Sequence, residues 1–437
     1  MIFEFITSSI MGGLALKAYL AKSGATNDAD KLNKIFSLTG LNVKDGNQTY
    51  TAQLVRRKHY EWGSEYKYRI PLGRSFEDYQ AKLNAIQDGL NNRRTNLTLR
   101  DLRKLQIDAK IISNIKTLWQ RKLTERREIE LSYDGLLCIR VYNNELPREI
   151  PFEAGSSWRV PIGQQRQMNG MVFHDFEKIP HFVIGGATRY GKSNLINCIM
   201  SSLLISKPNE VKFHLIDLKG GVELCDYENI KQTEGVAYEP EEAEEVLHNA
   251  YLEMRAVQEK LRKAGKKKVQ ESGIKERHFI IIDEVGELNP QEAVTKEEKQ
   301  IKTNCQRLMS QIARLGAGLG FRLVLATQYP TGDVIPRQCK QNADAKLSFR
   351  VQSATASRVA LDEVGAESLP EIKGRAIYLT ASGQKIVQTP LVTPEVIAQA
   401  TTPYIIPREE KKHDRKGEAP QPKTREYTIE FEETGLS

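Results

Sequence analysis

A glycine-rich motif at residues 186–193 restricts this chain to a small group of folds. The segment reads Gly-Ala-Thr-Arg-Tyr-Gly-Lys-Ser and satisfies every fixed position of the pattern G-x-x-x-x-G-K-[ST]. A short apolar run, His181 to Gly186, precedes it, and an apolar helical spacing from Leu195 to Leu204 follows it. Because a strand, a glycine loop and a helix in this order place backbone N–H groups around phosphate, the motif predicts a nucleotide-binding P-loop in an α/β fold.

The residue types in this loop indicate ATP and Mg²⁺ as its ligands. The backbone N–H groups and the positive end of the following helix would hold the phosphates. Lys192 would reach the β- and γ-phosphates, and the Ser193 hydroxyl would hold Mg²⁺. The residues predicted to bind the nucleotide are Gly186, Ala187, Thr188, Arg189, Tyr190, Gly191, Lys192, Ser193 and Asn194.

Two later apolar runs end in polar residues that would complete the site. Residues 279–284 read Phe-Ile-Ile-Ile-Asp-Glu, the Walker B pattern. Asp283 would hold the Mg²⁺ shell, and Glu284 would act as the general base. Residues 321–328 form a further predicted strand, and Gln328 at its end would either sense the γ-phosphate or be an ordinary strand terminus. We therefore expect Lys192, Glu284 and Gln328 to contribute to catalysis.

Predicted strands alternate with helices through most of residues 181–390. This alternation indicates a mostly parallel sheet with helices on both faces and a ligand at the carboxyl ends of the strands. In addition, Gly63 and Ser64 are predicted to form the turn of a hairpin, and residues 289–303 a charged, mobile insertion. The predicted domains are a candidate membrane anchor at 1–22, a small basic α+β domain at 23–157, an ATPase domain at 158–402 and a mostly disordered charged tail at 403–437.

Residues 2–20 are the candidate membrane segment. Their length is close to the roughly 20 residues that a membrane span needs. Basic residues follow the segment and none precede it, so the positive-inside rule would place the rest of the chain in the cytoplasm, anchored to the inner face of the membrane. The alternative is an amphipathic or core-docking helix at the N-terminus.

The composition favours an anionic partner. The 437 residues carry a net charge of +8, which suits nucleic acid or membrane headgroups. The basic segment 93–127 is either a solvated helix face or an arm that contacts DNA. The five cysteines form no C-x-x-C pair, and the seven histidines show no metal-binding spacing, so the sequence predicts reduced thiols and no zinc site.

Four ordered motifs resemble those of the FtsK/SpoIIIE family of DNA-translocating ATPases. The first is the approach to the P-loop, residues 178–188. The second is Ile-Asp-Leu-Lys at 216–219 with Glu-Leu at 223–224, similar to the I-D-P-K and E-L element of the family. The third is Leu-Ala-Thr-Gln at 325–328. The fourth is the run from Ser357 to Leu369, which is similar to S-R-x-x-L-D-x-x-G-A-E-S-L.

This resemblance implies a RecA-like P-loop NTPase core with a small N-terminal α+β domain. It also implies a homo-oligomer, usually a hexameric ring around double-stranded DNA, with ATP between subunits and an arginine supplied by the neighbour. This chain has Lys346 where the family often has that arginine, and lysine cannot form the same bidentate fork. Arg350 and Arg358 are therefore the candidates for the arginine.

The layout of the chain resembles coupling proteins of integrative conjugative elements and TcpA-type plasmids. We expect no multi-span N-terminus and no winged-helix module, because about 35 residues after Pro403 are too few for one. The expected function is an ATP-dependent double-stranded DNA translocase that moves plasmid or mobile-element DNA to a transfer channel or relaxase. The alternatives are a chromosome or plasmid segregation motor, a type VII-like protein-export ATPase, and a non-catalytic nucleotide-dependent scaffold.

Overall fold

A large mixed sheet with helices on both faces carries the P-loop. The computed structural model describes residues 28–92, 127–143, 145–166, 170–328 and 334–406. The predicted anchor at 2–20, nearly all of the basic segment 93–127 and the tail from residue 407 lie outside these ranges. Within the described ranges, none of the helices has the length and apolar character that a membrane crossing requires.

The described helices and strands have the following bounds. The helices are α1 (Asp28–Leu38), α2 (Phe76–Ala81), α3 (Leu83–Asn91), α4 (Lys192–Ser206), α5 (Pro240–Lys263), α6 (Lys296–Leu319), α7 (Arg337–Asn342), α8 (Ala354–Leu361) and α9 (Pro394–Thr401). The strands are β1 (Val43–Asp45), β2 (Gln48–Tyr50), β3 (Gln53–Tyr60), β4 (Gly63–Arg69), β5 (Ile129–Tyr133), β6 (Leu137–Tyr142), β7 (Arg159–Gln165), β8 (Met171–Asp175), β9 (Phe182–Gly185), β10 (Val211–Ile216), β11 (Thr233–Ala237), β12 (Arg277–Ile282), β13 (Phe321–Thr327), β14 (Ala345–Phe349), β15 (Arg375–Thr380) and β16 (Gly383–Gln388).

The ten described strands of the large sheet follow the order β11-β10-β12-β13-β9-β14-β15-β16-β7-β8. The first six strands run parallel, and from β14 onward each strand is antiparallel to its neighbour. The predicted parallel core is confirmed, and the antiparallel extension is an addition that the sequence pattern does not predict. Because the core strands are parallel, the carboxyl ends of β9, β10, β12, β13 and β14 meet at one edge of the sheet.

Apolar side chains on both faces of the sheet hold the P-loop strand in place. Phe182 and Ile184 belong to the buried cluster that contains α4, and Val183 belongs to the cluster that contains α5 and α6. This division follows the two-residue repeat of a strand. Each fully buried side chain of this size contributes roughly 1.5–3 kcal/mol to folding. The strand is therefore anchored from both sides.

A second sheet lies near the N-terminal end of the described residues. Its order is β3-β4-β6-β5, and it shares a core with α1 and α3. The predicted hairpin is present, but Glu61 and Trp62 form its turn, and Gly63 already belongs to β4. A Cβ on Gly63 would lie 2.0 Å from the carbonyl oxygen of Val141. The glycine therefore serves the close approach of β6 and not the turn.

The predicted mobile insertion at 289–303 is wrong from residue 296 onward, where α6 begins. Thr295 caps this helix, because its hydroxyl accepts a hydrogen bond from the N–H of Glu298 at 3.1 Å. The Glu298 carboxylate accepts in turn from the N–H of Val294 at 2.8 Å. A threonine followed three residues later by a glutamate is a helix-start signal. High charge obscures the helical pattern in this segment.

Buried and half-buried charges connect the small sheet to the large one. Glu128 pairs with Arg166 at 2.7 Å and with Arg375 at 3.6 Å. The fully buried Arg375 also donates to the carbonyl oxygens of Leu146 and Pro147 at 3.0 and 3.2 Å. The segment just before the predicted ATPase domain thus packs against the large sheet. The domain boundaries stay a prediction.

Glu177 holds together the amino-terminal ends of the two strands that lead to the site. Its Oε1 lies 2.7 Å from Nε of Arg277 at the start of β12 and 3.0 Å from Nη2 of Arg322 in β13. Burial lowers the pKa of Arg322 to about 10. Burial also tends to raise the pKa of Glu177, but hydrogen bonds from Arg277 and Gln270 outweigh it and lower that pKa. The carboxylate therefore stays ionised between two guanidinium groups.

We expect Glu177→Ala to lower the free energy of unfolding by roughly 3 kcal/mol, because it leaves two buried guanidinium groups without their carboxylate. Chemical denaturation followed by circular dichroism measures the change. The control is Glu259→Ala, which removes an exposed pair with Lys263 at 2.9 Å and should cost less than about 1 kcal/mol. Equally small changes in both variants would contradict the assigned role of Glu177.

Candidate nucleotide-binding site

The P-loop joins β9 to α4, and its path requires two glycines. Gly186 has a φ of +153° and Gly191 a φ of +120°. A Cβ on Gly186 would lie 2.7 Å from Cβ of Phe349, and a Cβ on Gly191 would lie 3.1 Å from Cε1 of the same side chain. Side chains at either position would therefore press on β14 and strain the backbone.

Backbone hydrogen bonds from the neighbouring strands hold the loop. The N–H of Ala187 donates to the carbonyl oxygen of Arg350 at 3.0 Å, and the N–H of Gly374 donates to that of Tyr190 at 2.9 Å. Arg189 has a φ of +73°, which non-glycine residues seldom adopt, and its side chain is exposed. The Tyr190 ring packs against the core. The loop thus keeps its shape despite two large side chains.

Lys192 and Asp283 form a buried ion pair at the centre of the site. Nζ of Lys192 lies 2.5 Å from Oδ1 of Asp283 and 2.6 Å from the carbonyl oxygen of the same residue. The exposed fractions of the two side chains are 4% and 0%. Two buried charges are tolerated only when they are paired in this way. A phosphate entering the loop would compete with Asp283 for the ammonium group.

Glu284 is held at the same edge of the sheet by three contacts. Its Oε2 lies 2.8 Å from Nζ of Lys219 and accepts a hydrogen bond from the N–H of Gln328 at 2.9 Å. Its Oε1 accepts from the N–H of Gly286 at 3.4 Å. The residue is 3% exposed. Packing and hydrogen bonds therefore fix the carboxylate next to Asp283, where a general base for the site is expected.

Lys219 is a site residue to which the sequence reasoning assigns no role. It lies in a turn that Asp217 organises from the end of β10. Oδ1 of Asp217 accepts from the N–H of Lys219 at 3.3 Å, and Oδ2 accepts from the N–H groups of Glu223 and Leu224 at 2.9 and 3.0 Å. The fully buried carboxylate thus folds the turn so that Lys219 reaches Glu284. The polar turn after a strand and the resemblance of residues 216–219 to a family motif are the signals in the sequence, and neither names Glu284 as the partner.

The structure brings Gln328 to the P-loop and turns Asn194 elsewhere. Oγ1 of Thr188 donates to Oε1 of Gln328 at 3.0 Å. The amide of Asn194 donates to the carbonyl oxygen of Pro390 at 2.6 Å and accepts from the N–H of Val392 at 2.9 Å. The side chain of Asn194 therefore ties α4 to the segment before α9. A nucleotide-binding role for Asn194 stays a prediction.

The candidate basic residues for a neighbouring site lie on and after β14. The side chain of Arg350 pairs with Glu371 at 3.4 Å, while Arg358 is exposed on α8. Lys346 pairs with Asp362 at 2.8 Å. The backbone carbonyl of Arg350 is hydrogen-bonded to the P-loop of its own chain. The exposed side chain of Arg358 could instead contact a neighbouring subunit. Which residue, if either, acts across a subunit boundary stays a prediction.

Oxygen atoms suited to a hydrated Mg²⁺ ion lie at the same edge. Among the described residues, no donor reaches the buried Oδ2 of Asp283 or the buried Oγ1 of Thr327. Buried oxygen atoms without a partner are costly, and carboxylate and hydroxyl oxygens are groups that Mg²⁺ and its water shell prefer. With the half-buried Ser193 in the first turn of α4, the residues fit the ion.

The comparisons with known sequences point to one family. The model of the FtsK/SpoIIIE family matches residues 151–315. The DNA translocase FtsK of Chlorobaculum tepidum is 32% identical over 232 residues, which are 49% of this chain and 28% of the relative. The DNA translocase SpoIIIE of Bacillus subtilis is 32% identical over 248 residues, 53% of this chain and 30% of the relative. The chain therefore spans under a third of the length of these relatives.

A solved structure supports the fold beyond the matched segment. The pCW3 conjugation coupling protein TcpA, in its monomer form with ATPγS, superposes with a TM-score of 0.57. The match covers 84% of this chain and 96% of that protein at 21% identity. The two proteins therefore share a fold over most of this chain.

We expect Gly186→Ala to weaken nucleotide binding roughly tenfold or more, because the new Cβ strains the loop and pushes on Phe349. Titration of a fluorescent ATP analogue measures this. Gly273→Ala is the matched control, since Gly273 has no positive φ and no atom within 4 Å of the added Cβ. Wild-type affinity in Gly186→Ala would show that the loop does not hold the nucleotide.

The geometry and the comparisons agree on the nature of this region. The P-loop, the buried Lys192–Asp283 pair and the held Glu284 lie together at the carboxyl edge of a RecA-like sheet. The matched family is one of ATPases, which implies ATP binding. Residues 151–315 of this chain are therefore similar to the FtsK/SpoIIIE family.

Proposed function

We propose that this chain is the ATP-hydrolysing motor of a double-stranded DNA translocase. The observation that carries the proposal is the assembly of Lys192, Asp283 and Glu284 beside the P-loop, within a domain that matches DNA translocases. A nucleotide-dependent scaffold would not need a general base held by three contacts. The proposal therefore includes turnover and not only binding.

In this mechanism Lys192 exchanges its partner when ATP binds. Its ammonium group moves from Asp283 to the β- and γ-phosphate oxygens, which are stronger charge partners in the same buried position. Asp283 and Ser193 would then hold Mg²⁺, which supplies charge neutralisation to the phosphates when it is bound. Because the exchange preserves the pairing of each buried charge, ATP could enter and leave the site without exposing an unpaired carboxylate.

Glu284 would take a proton from the attacking water as the γ-phosphate leaves. Its carboxylate is acceptor-only when ionised, as a general base requires. Lys219 and the N–H of Gln328 hold Oε2, so a change at either group alters the direction in which the base points. Gln328 also accepts a hydrogen bond from Thr188 of the P-loop. A γ-phosphate that displaces this contact would therefore move the side chain of Gln328.

The grip on DNA would come from exposed basic residues. The edge strand β3 is exposed along its length and carries Arg56, Arg57 and Lys58. The whole chain has a net charge of +8. Contacts from lysine and arginine to phosphate bind duplex DNA without reading its sequence, which suits a translocase. Such a grip is expected to weaken steeply as the salt concentration rises.

We further propose that the DNA belongs to a plasmid or another mobile element. Support comes from the conjugation coupling protein TcpA, whose match extends across 84% of this chain and 96% of its own. A homo-oligomeric ring with ATP between subunits, closed by Arg350 or Arg358 of a neighbour, belongs to the same proposal. Attachment to the membrane through residues 2–20, and a transfer channel or relaxase as partner, also remain parts of it.

The first test is steady-state ATP hydrolysis with and without linear duplex DNA. We expect DNA to stimulate turnover, and Glu284→Gln to lower the rate roughly 100- to 10,000-fold while ATP binding persists, because an amide is no base. The exposed Glu287 lies three residues away, and Glu287→Gln is the matched control. An ATPase rate that is the same with and without DNA would instead favour a protein-export ATPase. A wild-type rate in Glu284→Gln would overturn the assignment of Glu284 as the general base.

The second test concerns the biological role. Conjugation from a host that carries the element is measured with wild-type protein and with Glu284→Gln. We expect transfer to fall by several orders of magnitude while growth and stable inheritance of the element remain normal. Loss of inheritance with unchanged transfer would instead indicate a segregation motor.

A further inference from the structure

Three potential metal ligands meet outside the nucleotide site, where α5 packs on β10 and β12. His214 lies on β10, His278 is the second residue of β12, and Glu253 lies on α5. Nε2 of His214 is 3.2 Å from Nδ1 of His278 and 3.5 Å from Oε2 of Glu253. Nδ1 of His278 is 3.2 Å from the same carboxylate oxygen. The three atoms therefore form a nearly equilateral triangle.

The size of this triangle matches one face of a zinc coordination shell. Zinc binds histidine nitrogen and carboxylate oxygen at about 2.0–2.2 Å in a tetrahedron, which separates neighbouring ligand atoms by about 3.3–3.6 Å. The observed separations of 3.2, 3.2 and 3.5 Å lie around that value. An ion slightly above the plane of the triangle would thus reach all three atoms without moving them.

Hydrogen bonding alone satisfies this triangle poorly. Three atoms at mutual distances near 3.3 Å cannot all be joined by hydrogen bonds with the preferred angle above about 150°. One hydrogen bond joins the rings of His214 and His278 at 3.2 Å, and the buried Oε2 of Glu253 lies beside both ring nitrogens. A cation at the centre would satisfy this oxygen and both nitrogens together.

The surrounding side chains hold the ligands in place and leave a way in. The ring of His278 stacks on Phe321 with centroids 4.3 Å apart and an angle of 9° between the planes. The side chain of His214 is 2% exposed, whereas that of Glu253 is 42% exposed. A cavity of about 270 Å³, lined in part by His214, Glu253 and Asn249, opens beside the triangle. A solvent molecule could therefore supply the fourth ligand.

We propose that His214, Glu253 and His278 form a binding site for a divalent transition-metal ion, with Zn²⁺ as the best match. The ligand set of two imidazoles and one carboxylate suits this class of ion and not Mg²⁺, which prefers six oxygen ligands. The site joins α5 to β10 and β12 and thereby fastens one face of the sheet. It does not depend on the proposed translocase function.

The metal would act on the structure and not on the nucleotide. His278 precedes Asp283 by five residues along β12. At the rise of a strand, the two residues are about 16 Å apart. An ion at this distance is outside the reach of phosphate bound at the P-loop. Its expected effect is therefore stability of the α5 face, which gives the test a readout besides hydrolysis.

The experiment measures Zn²⁺ binding to the full chain without an affinity tag, after treatment with a chelator. Cys225→Ser serves as the background, because Cys225 is the exposed thiol among the cysteines and could bind zinc by itself. Competition with a chromogenic chelator gives the affinity and stoichiometry. We expect one Zn²⁺ per chain, a higher melting temperature with Zn²⁺ and intense visible bands of tetrahedral Co²⁺ when cobalt replaces zinc.

His278 and Glu253 are both partly exposed, so their variants should still fold. His278→Gln and Glu253→Gln should each weaken Zn²⁺ binding roughly 100-fold or more and abolish the shift in melting temperature. The control is His248→Gln, an exposed histidine on the same helix. Zinc affinity and melting shift that are equal in His278→Gln, Glu253→Gln and the background protein would overturn the site, as would Co²⁺ bands that survive in Glu253→Gln.

Discussion

The buried pair between Lys192 and Asp283 is the interaction on which the rest of the site depends. It joins the start of α4 to the end of β12 across β13. Neither charge can stay in this environment without the other or an equivalent partner, because an isolated buried charge is costly. The two glycines, the parallel strands and the backbone bonds to the loop all serve to bring these two side chains together.

Much of this arrangement can be read from the sequence, because local rules determine it. The glycine positions, the apolar runs and the acids after residue 282 indicate a P-loop, a mostly parallel sheet and a carboxyl edge that carries the polar groups. Lys192 and Glu284 lie together at this edge, and their catalytic roles stay predictions. The spacing within a motif determines the relative positions of residues that are close in the sequence.

Features that depend on distant parts of the chain could not be predicted in this way. Lys219 reaches Glu284 only because the sheet places β10 beside β12. The histidines at 214 and 278 are 64 residues apart, so metal-binding spacing cannot reveal a pair that adjacent strands bring together. The absence of metal-binding spacing in the sequence stays true and says nothing about this spatial neighbourhood. Charge likewise hid the helical start at Lys296, although Thr295 and Glu298 formed a readable cap.

The backbone bonds that hold the P-loop have a mechanical consequence. Ala187 is bonded to Arg350 after β14, and Tyr190 is bonded to Gly374 before β15. The phosphate loop is thus attached to the first strands of the antiparallel part of the sheet. That part continues through β16 and β7 to β8. A force applied to those outer strands loads the loop directly, and a change in the shape of the loop does work on them. These two hydrogen bonds therefore couple the loop mechanically to β14 and β15, where the parallel strands give way to antiparallel ones.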